Sequence, residues 1–136
     1  MKELTVAATV DNIEAVTDFV NTHLEVADCP MKAQMQISIA IDEIFSNIAY
    51  YAYAPGTGDA TVRVEITQEP AAIIAFMDRG VPYNPLENTD PDTTLSAEDR
   101  KVGGLGIFMV KKSMDEITYR YENGRNILSI RKNLRS

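Results

Sequence analysis

A single cysteine and a single histidine among 136 residues remove two classes of protein at once. Cys29 has no second cysteine with which to form an internal disulfide, and together with His23 it cannot complete a zinc site from those side-chain types alone. Cys29 lies beside Pro30 and reads as a small residue at a helix start, since no resolving cysteine exists for redox chemistry. Long apolar runs are also lacking. No segment reaches the length of a membrane span, and the opening MKELTVAATVDNIEAV has no apolar stretch ending in a small-residue cleavage site, so a soluble, cytoplasmic protein is expected. Cations are scarce: 13 Lys and Arg against 20 Asp and Glu give a net charge of -7 and a pI near 4.6. That balance disfavours broad nucleic-acid binding, which depends on neutralising phosphates.

What remains is the patterning of one domain, residues 1-136, long enough for a single sizeable core. Leu4, Val6, Ala8 and Val10 alternate with polar or small residues, as a strand buried on one face does. Asp11 followed by Glu14 resembles a capping box, and Ile13, Val16, Val20 and Leu24 then recur at helical spacing to about Val26. Pro30 pre-sets a second helix, which the sequence carries as far as Pro55 and Gly56. Val62, Val64 and Ile66 alternate in a second strand, and AAIIAFM, residues 71 to 77, is apolar enough for a central one. Residues 84 to 103 hold five acidic residues among Pro, Thr, Asn and Ser, a long polar loop of the kind that often serves as a lid. LGIFMVKKSMDE then reads as a helix, with Leu105, Phe108, Met109 and Lys112 at spacings of three or four and cations in its last turns. Ile117, Tyr119 and Tyr121, the turn signal Asn123-Gly124, and Leu128 and Ile130 complete a hairpin. Strands joined this way, with helices that can gather on one face, imply an α+β two-layer sandwich with a mixed, mainly antiparallel sheet.

Three stretches carry candidate chemistry. In DEIFSNIAYYAY, residues 42 to 53, Glu43 and Asn47 are one helical turn apart, roughly 40° from each other around the axis, with Tyr50 beside them. They border the stripe of Ile37, Ile41, Ile44 and Ile48. A carboxylate and an amide so placed can hold a metal ion and activate an oxygen nucleophile, although polar decoration of a helix would look the same. In DRGVPYNP, residues 78 to 85, Asp78 ends the apolar strand where it can accept from a ligand amine, and Gly80 removes a Cβ that would block a flat ring. The same residues also suit an ordinary turn. In GGLGIFMV, residues 103 to 110, glycines at a helix start let backbone N–H groups approach phosphate, by which an acidic protein can still bind a nucleotide. Gly-Lys-Ser/Thr is absent and Met109 stands where a dinucleotide fingerprint needs its third glycine, so neither common phosphate loop is present.

In this order, an acid-and-amide helix, a strand ending in Asp-x-Gly, and a lid ending in Gly-Gly-x-Gly before a helix resemble the histidine kinase-like ATP-binding fold of DNA gyrase, the heat-shock protein 90 chaperones, histidine kinases and mismatch-repair ATPases. Within that group the chain is most similar to the anti-sigma factor serine/threonine kinases, over nearly its whole length. The resemblance implies Glu43 as general base, Asn47 as Mg²⁺ ligand, Asp78 as acceptor from the adenine amino group, Gly80 under the ring, and Gly104 and Gly106 as lid glycines that meet the phosphates. It implies ATP and Mg²⁺ as cofactors, an antagonist of the anti-anti-sigma type and a sigma factor as partners, and a homodimer as an assembly common in the family. The departure is Tyr51, where the anti-sigma kinases commonly have His. Tyr51 leaves nucleotide binding in place and bears on phosphotransfer.

The implied function is an ATP-dependent serine/threonine protein kinase acting on an antagonist protein, with a nucleotide-gated binding module without phosphotransfer as the alternative. A gyrase-like or repair ATPase lacks the coupling domain and is opposed by the acidic charge. His23 is not expected as a phospho-acceptor, because that role needs a dimerisation hairpin for which there is no room. It reads as a partly exposed helix residue. Lys111 and Lys112 read as C-terminal helix charges.

Overall fold

The computed structural model describes residues 1–87 and 104–135. Strand β1 (Lys2–Ala7) leads through one 3-10 turn (Val10–Asn12) into helix α1 (Ile13–Val26), and α2 (Met31–Asn47) follows directly. Strands β2 (Asp59–Ile66) and β3 (Ala71–Asp78) come next, then helix α3 (Gly104–Ser113) and the hairpin of β4 (Glu116–Glu122) and β5 (Arg125–Asn133). The five strands pair in the order β1-β2-β3-β5-β4. Each pairing is antiparallel, which makes the sheet simpler than the mixed one expected. The reason lies in the crossover. β4 runs parallel to β3, and the two would have made a parallel pair had they been neighbours, but β5 folds back from the Asn123-Gly124 turn and inserts between them. Positive φ angles of 54° at Asn123 and 77° at Gly124 fit the two-residue hairpin turn that the dipeptide favours.

One layer of helices covers one face of this sheet. Val16, Val20 and Leu24 of α1 and Ile37, Ile41, Ile44 and Phe45 of α2 are fully buried against Val62, Ile74, Phe76 and Ile130 of the sheet. Those helix positions repeat every three or four residues and the strand positions every two, so both periods converge on one core. β3 lies at the centre, as its apolar run requires.

Several local expectations are corrected. Val10 is not the last inward residue of β1; it sits in the 3-10 turn and is 42% exposed. Asn12, rather than Asp11, occupies the N-cap position of α1 and makes no side-chain capping bond; its amide donates back to the Ala7 carbonyl at 2.8 Å. α2 does not continue as a regular helix to Pro55: after Asn47 the chain widens into a single π turn, Ile48–Ala52. In α3 the inward stripe is Ile107 and Val110, continued by Met114 just beyond its end. Phe108 and Met109 face elsewhere, with Met109 55% exposed and the Lys112 ammonium 5.1 Å from the centre of the Phe108 ring. Residues 88–103 of the expected lid, including Gly103, lie outside the described residues. No helix among the described residues is long and apolar enough to cross a membrane.

Candidate functional site

Where the sheet end meets α2 and α3, a cavity of about 570 Å³ opens, walled by Ile44, Phe76, Ile107 and Leu128 and carrying Asn47 and Asp78 among its lining residues. This is a volume ordinary for a small-molecule site, apolar with a few convergent polar groups. Asp78 is there because it is the last residue of β3, inward-facing in the same alternation as Ile74 and Phe76. It is 6% exposed. Its Oδ1 accepts from the Gly80 backbone N–H at 2.9 Å and from the Asn126 side-chain amide at 3.0 Å. Among the described residues these donors reach one oxygen, which leaves Oδ2 for a ligand's N–H.

Asn126 was not anticipated from the sequence. Strand register sets it opposite Asp78, and at 7% exposure its amide is fully employed. Nδ2 donates to Asp78 and to the Val81 carbonyl at 3.0 Å, while Oδ1 accepts from the Tyr83 N–H at 3.1 Å and from the Tyr119 hydroxyl. One side chain thus fixes the carboxylate, the loop after β3 and the neighbouring strand β4. Burial, and secondarily the nearby Asp78 charge, push the Tyr119 phenol above its ordinary pKa, so it remains a donor. A signal for Asn126 was present: it shares the inward period of Leu128 and Ile130, and a polar residue at such a position needs a buried partner.

Gly80 has a different setting from the one expected. A Cβ on it would stand 2.2 Å from the Ala52 carbonyl oxygen, the same oxygen that accepts from the Val81 N–H at 2.9 Å. The missing side chain therefore lets the loop after β3 lie directly against the π turn that ends α2. Tyr53 ties the same corner, donating its hydroxyl to the Asp59 carbonyl at 2.6 Å and accepting from the Arg79 N–H at 2.8 Å. Tyr51 lines the cavity and is 47% exposed. Its ring is tilted against Tyr50 with centroids 6.2 Å apart.

Glu43 lies one turn before Asn47 on α2, and its carboxylate rests against Gly106 in the first turn of α3. A Cβ at Gly106 would overlap the Glu43 Oε2 at 1.8 Å. Two influences oppose each other here. Burial, then the adjacent Asp42 charge, raise the Glu43 pKa above 4.5, whereas the N-terminal turn of a helix favours an anion. A carboxylate that resists ionisation yet sits beside a positive helix end is suited to taking a proton.

The expected residues are therefore partly assembled. Asn47 and Asp78 share the cavity, Glu43 and Gly106 touch beside it next to the lining residue Ile107, and Gly104 opens α3, while Gly80 supports the wall from behind. Among the described residues no group of three or more His, Cys, Asp or Glu side chains could hold a metal ion; Asn47 offers one amide oxygen. His23 is half-buried and edge-on to Phe19, with centroids 5.0 Å apart. The Cys29 thiol donates to the Pro30 carbonyl at 3.4 Å, and burial raises its pKa. Neither belongs to the site.

Comparison with known proteins identifies the family. The sequence model of the histidine kinase-like ATPase domain matches residues 6–132. The chain is 24% identical over 100 residues to the serine/threonine-protein kinase BtrW of Bordetella bronchiseptica, covering 73% of this chain and 70% of that protein. It is 29% identical over 96 residues to the serine-protein kinase RsbW of Bacillus cereus, covering 68% of this chain and 59% of RsbW. Among solved structures it is similar in fold to the SiaB–SiaC complex of Pseudomonas aeruginosa, at TM-score 0.59 and 16% identity over 95% of this chain and 88% of the other. The histidine kinase domain of the blue-light activated kinase of Erythrobacter litoralis gives TM-score 0.55 and 16% identity, over 77% of this chain and 46% of that one.

Proposed function

Because the chain belongs to the histidine kinase-like ATPase domain family, we propose that it is an ATP- and Mg²⁺-dependent serine/threonine protein kinase, acting on an antagonist protein of the anti-anti-sigma type and binding a sigma factor when free of it. The observation that carries the catalytic half is the Glu43 carboxylate, set against the first turn of α3 and one helical turn from Asn47. The cavity suits adenine. Its walls are apolar, and Asp78 keeps one oxygen for an exocyclic amine. The kinase names of BtrW and RsbW support the reaction class.

When bound, Mg²⁺-ATP supplies the phosphoryl group to be transferred. Asp78 Oδ2 would accept from the adenine amine, with Asn126 keeping that carboxylate from rotating and the apolar walls excluding water from the ring. Asn47 would offer its amide oxygen to the cation, and the first-turn N–H groups of α3 would meet the negative charge of the phosphates. Glu43 would take the proton of the partner's hydroxyl as that oxygen bonds to the γ-phosphorus and the bond from phosphorus to the departing ADP oxygen breaks. Glu43→Gln tests this division. ATP affinity stays within a few fold, while phosphorylation of a co-encoded antagonist falls by roughly 10² or more, the scale of a lost general base.

One observation favours a second reading, a nucleotide-gated binding module without turnover. Tyr51 lines the cavity where the anti-sigma kinases commonly carry His. If the wild-type protein transfers no phosphate to its antagonist yet binds it differently with ATP and with ADP, the module replaces the kinase.

A further inference from the structure

Away from the nucleotide cavity, the outer faces of α1 and α2 form a groove of about 430 Å³ that the proposed reaction does not use. Met31, Met35 and Ile39 line it at successive turns of α2 and are 78%, 60% and 57% exposed. Asn21 of α1 borders them, and its Oδ1 is buried without a hydrogen-bond partner among the described residues. An aligned, exposed apolar stripe is the complement of something amphipathic. Charge says what. On α1, Glu14, Asp18 and Glu25 recur with Asn21 at steps of four, three and four residues, so they rim the same side, and Asp42 continues the α2 edge beyond Ile39. All four acids are exposed, and none forms an ion pair among the described residues. From Ile13 to Asn47 Lys32 is the one Lys or Arg.

We infer that this groove is a docking surface for a basic amphipathic helix of another protein, with its apolar side on Met31, Met35 and Ile39 and its Lys or Arg side chains on the α1 acids. A second copy of this chain is a poorer occupant, since face-to-face pairing would bring the acidic rims together at a cost that salt only partly relieves. Anionic lipid is repelled for the same reason. The surface stands whether or not phosphotransfer occurs.

The test uses the full chain and a fluorescein-labelled amphipathic Leu/Lys helix, with the matching Leu/Glu helix as its control. The Leu/Lys helix binds and the Leu/Glu helix does not, binding weakens steeply with salt, and amide chemical-shift changes fall on α1 and α2 around the groove. Met35→Asp and the double variant Asp18→Lys with Glu25→Lys each weaken binding by roughly tenfold or more, as the loss of one apolar anchor or two ionic contacts implies. Both variants retain wild-type ADP affinity, which reports an intact fold. Equal binding of the two peptides, unchanged affinity in both variants, shifts mapping elsewhere, or no binding by the wild type overturns the proposal. A wild-type dimer in sedimentation that Met35→Asp converts to monomer overturns it in favour of a second copy.

Discussion

Two glycines beside the cavity, Gly80 and Gly106, have opposite neighbours. Gly80 is closed against backbone: a Cβ there meets the Ala52 carbonyl, which the Val81 N–H already engages. Gly106 is closed against the tip of a side chain, the Glu43 carboxylate. The Gly80 end holds Asp78, Asn126, Tyr83 and Tyr119 in one hydrogen-bonded network, so its geometry is set before any ligand arrives. At the Gly106 end, by contrast, a flexible carboxylate is poised by burial and by its charged neighbour. On the proposed function one end recognises and the other reacts, a division in which binding energy and transition-state stabilisation come from different residues.

The same substitution at each glycine separates the two ends most sharply. Gly80→Ala forces backbone away from backbone, and overpacking of that kind costs about 3 kcal/mol; a chemical-denaturation midpoint well below wild type, with ADP affinity lost alongside, is the expected result. Gly106→Ala needs only the Glu43 side chain to rotate, and the change also improves helix propensity by up to about 1 kcal/mol. Its stability stays near wild type while phosphotransfer falls by roughly 10², matching Glu43→Gln. A Gly106→Ala protein that unfolds like Gly80→Ala would erase the contrast.

Asp78→Asn probes the recognising end alone. It replaces one acceptor oxygen with a donor, facing either the Asn126 amide or the ligand amine, so roughly 1.5 to 3 kcal/mol of ADP binding is lost, the usual worth of a hydrogen bond to a charged group. Titration calorimetry reads it. Unchanged affinity removes Asp78 from the base pocket and leaves its bonds to Gly80 and Asn126 as purely structural.

Much of this was legible in the sequence for physical reasons. Helical periods located α1 and α2 with their inward residues, because each buries one clean face, and the apolar run of residues 71 to 77 located β3. α3 was harder, since Ile107, Phe108, Met109 and Val110 are apolar on all sides and offer no contrast from which to choose a face. Asp78 announced itself by ending an apolar strand, whereas Asn126 acts through a partner 48 residues away, a pairing set by register. The space around Gly80 is likewise filled by a carbonyl from a π turn that no local pattern in Ile48–Ala52 specifies. Short-range periodicity writes the elements, and cross-chain contacts write the site.

The smallest effect, and the most direct measure of the reacting end, is its pH dependence. The folded-state pKa of Glu43 lies above 4.5 because of burial first and Asp42 second. Between 4.5 and that raised value the folded protein binds more protons at this site than the unfolded chain, so the contribution of Glu43 to stability is greatest in acid and declines as pH rises through the window. Phosphotransfer runs the other way, because a general base must be unprotonated: the rate climbs through the same window and then levels. Glu43→Gln removes both slopes, whereas Asp78→Asn leaves them in place. Rate profiles and denaturation midpoints of the two variants, measured across the same acidic range, test this. A rate profile that keeps its acid limb in Glu43→Gln assigns the proton to another group and takes Glu43 out of the chemistry.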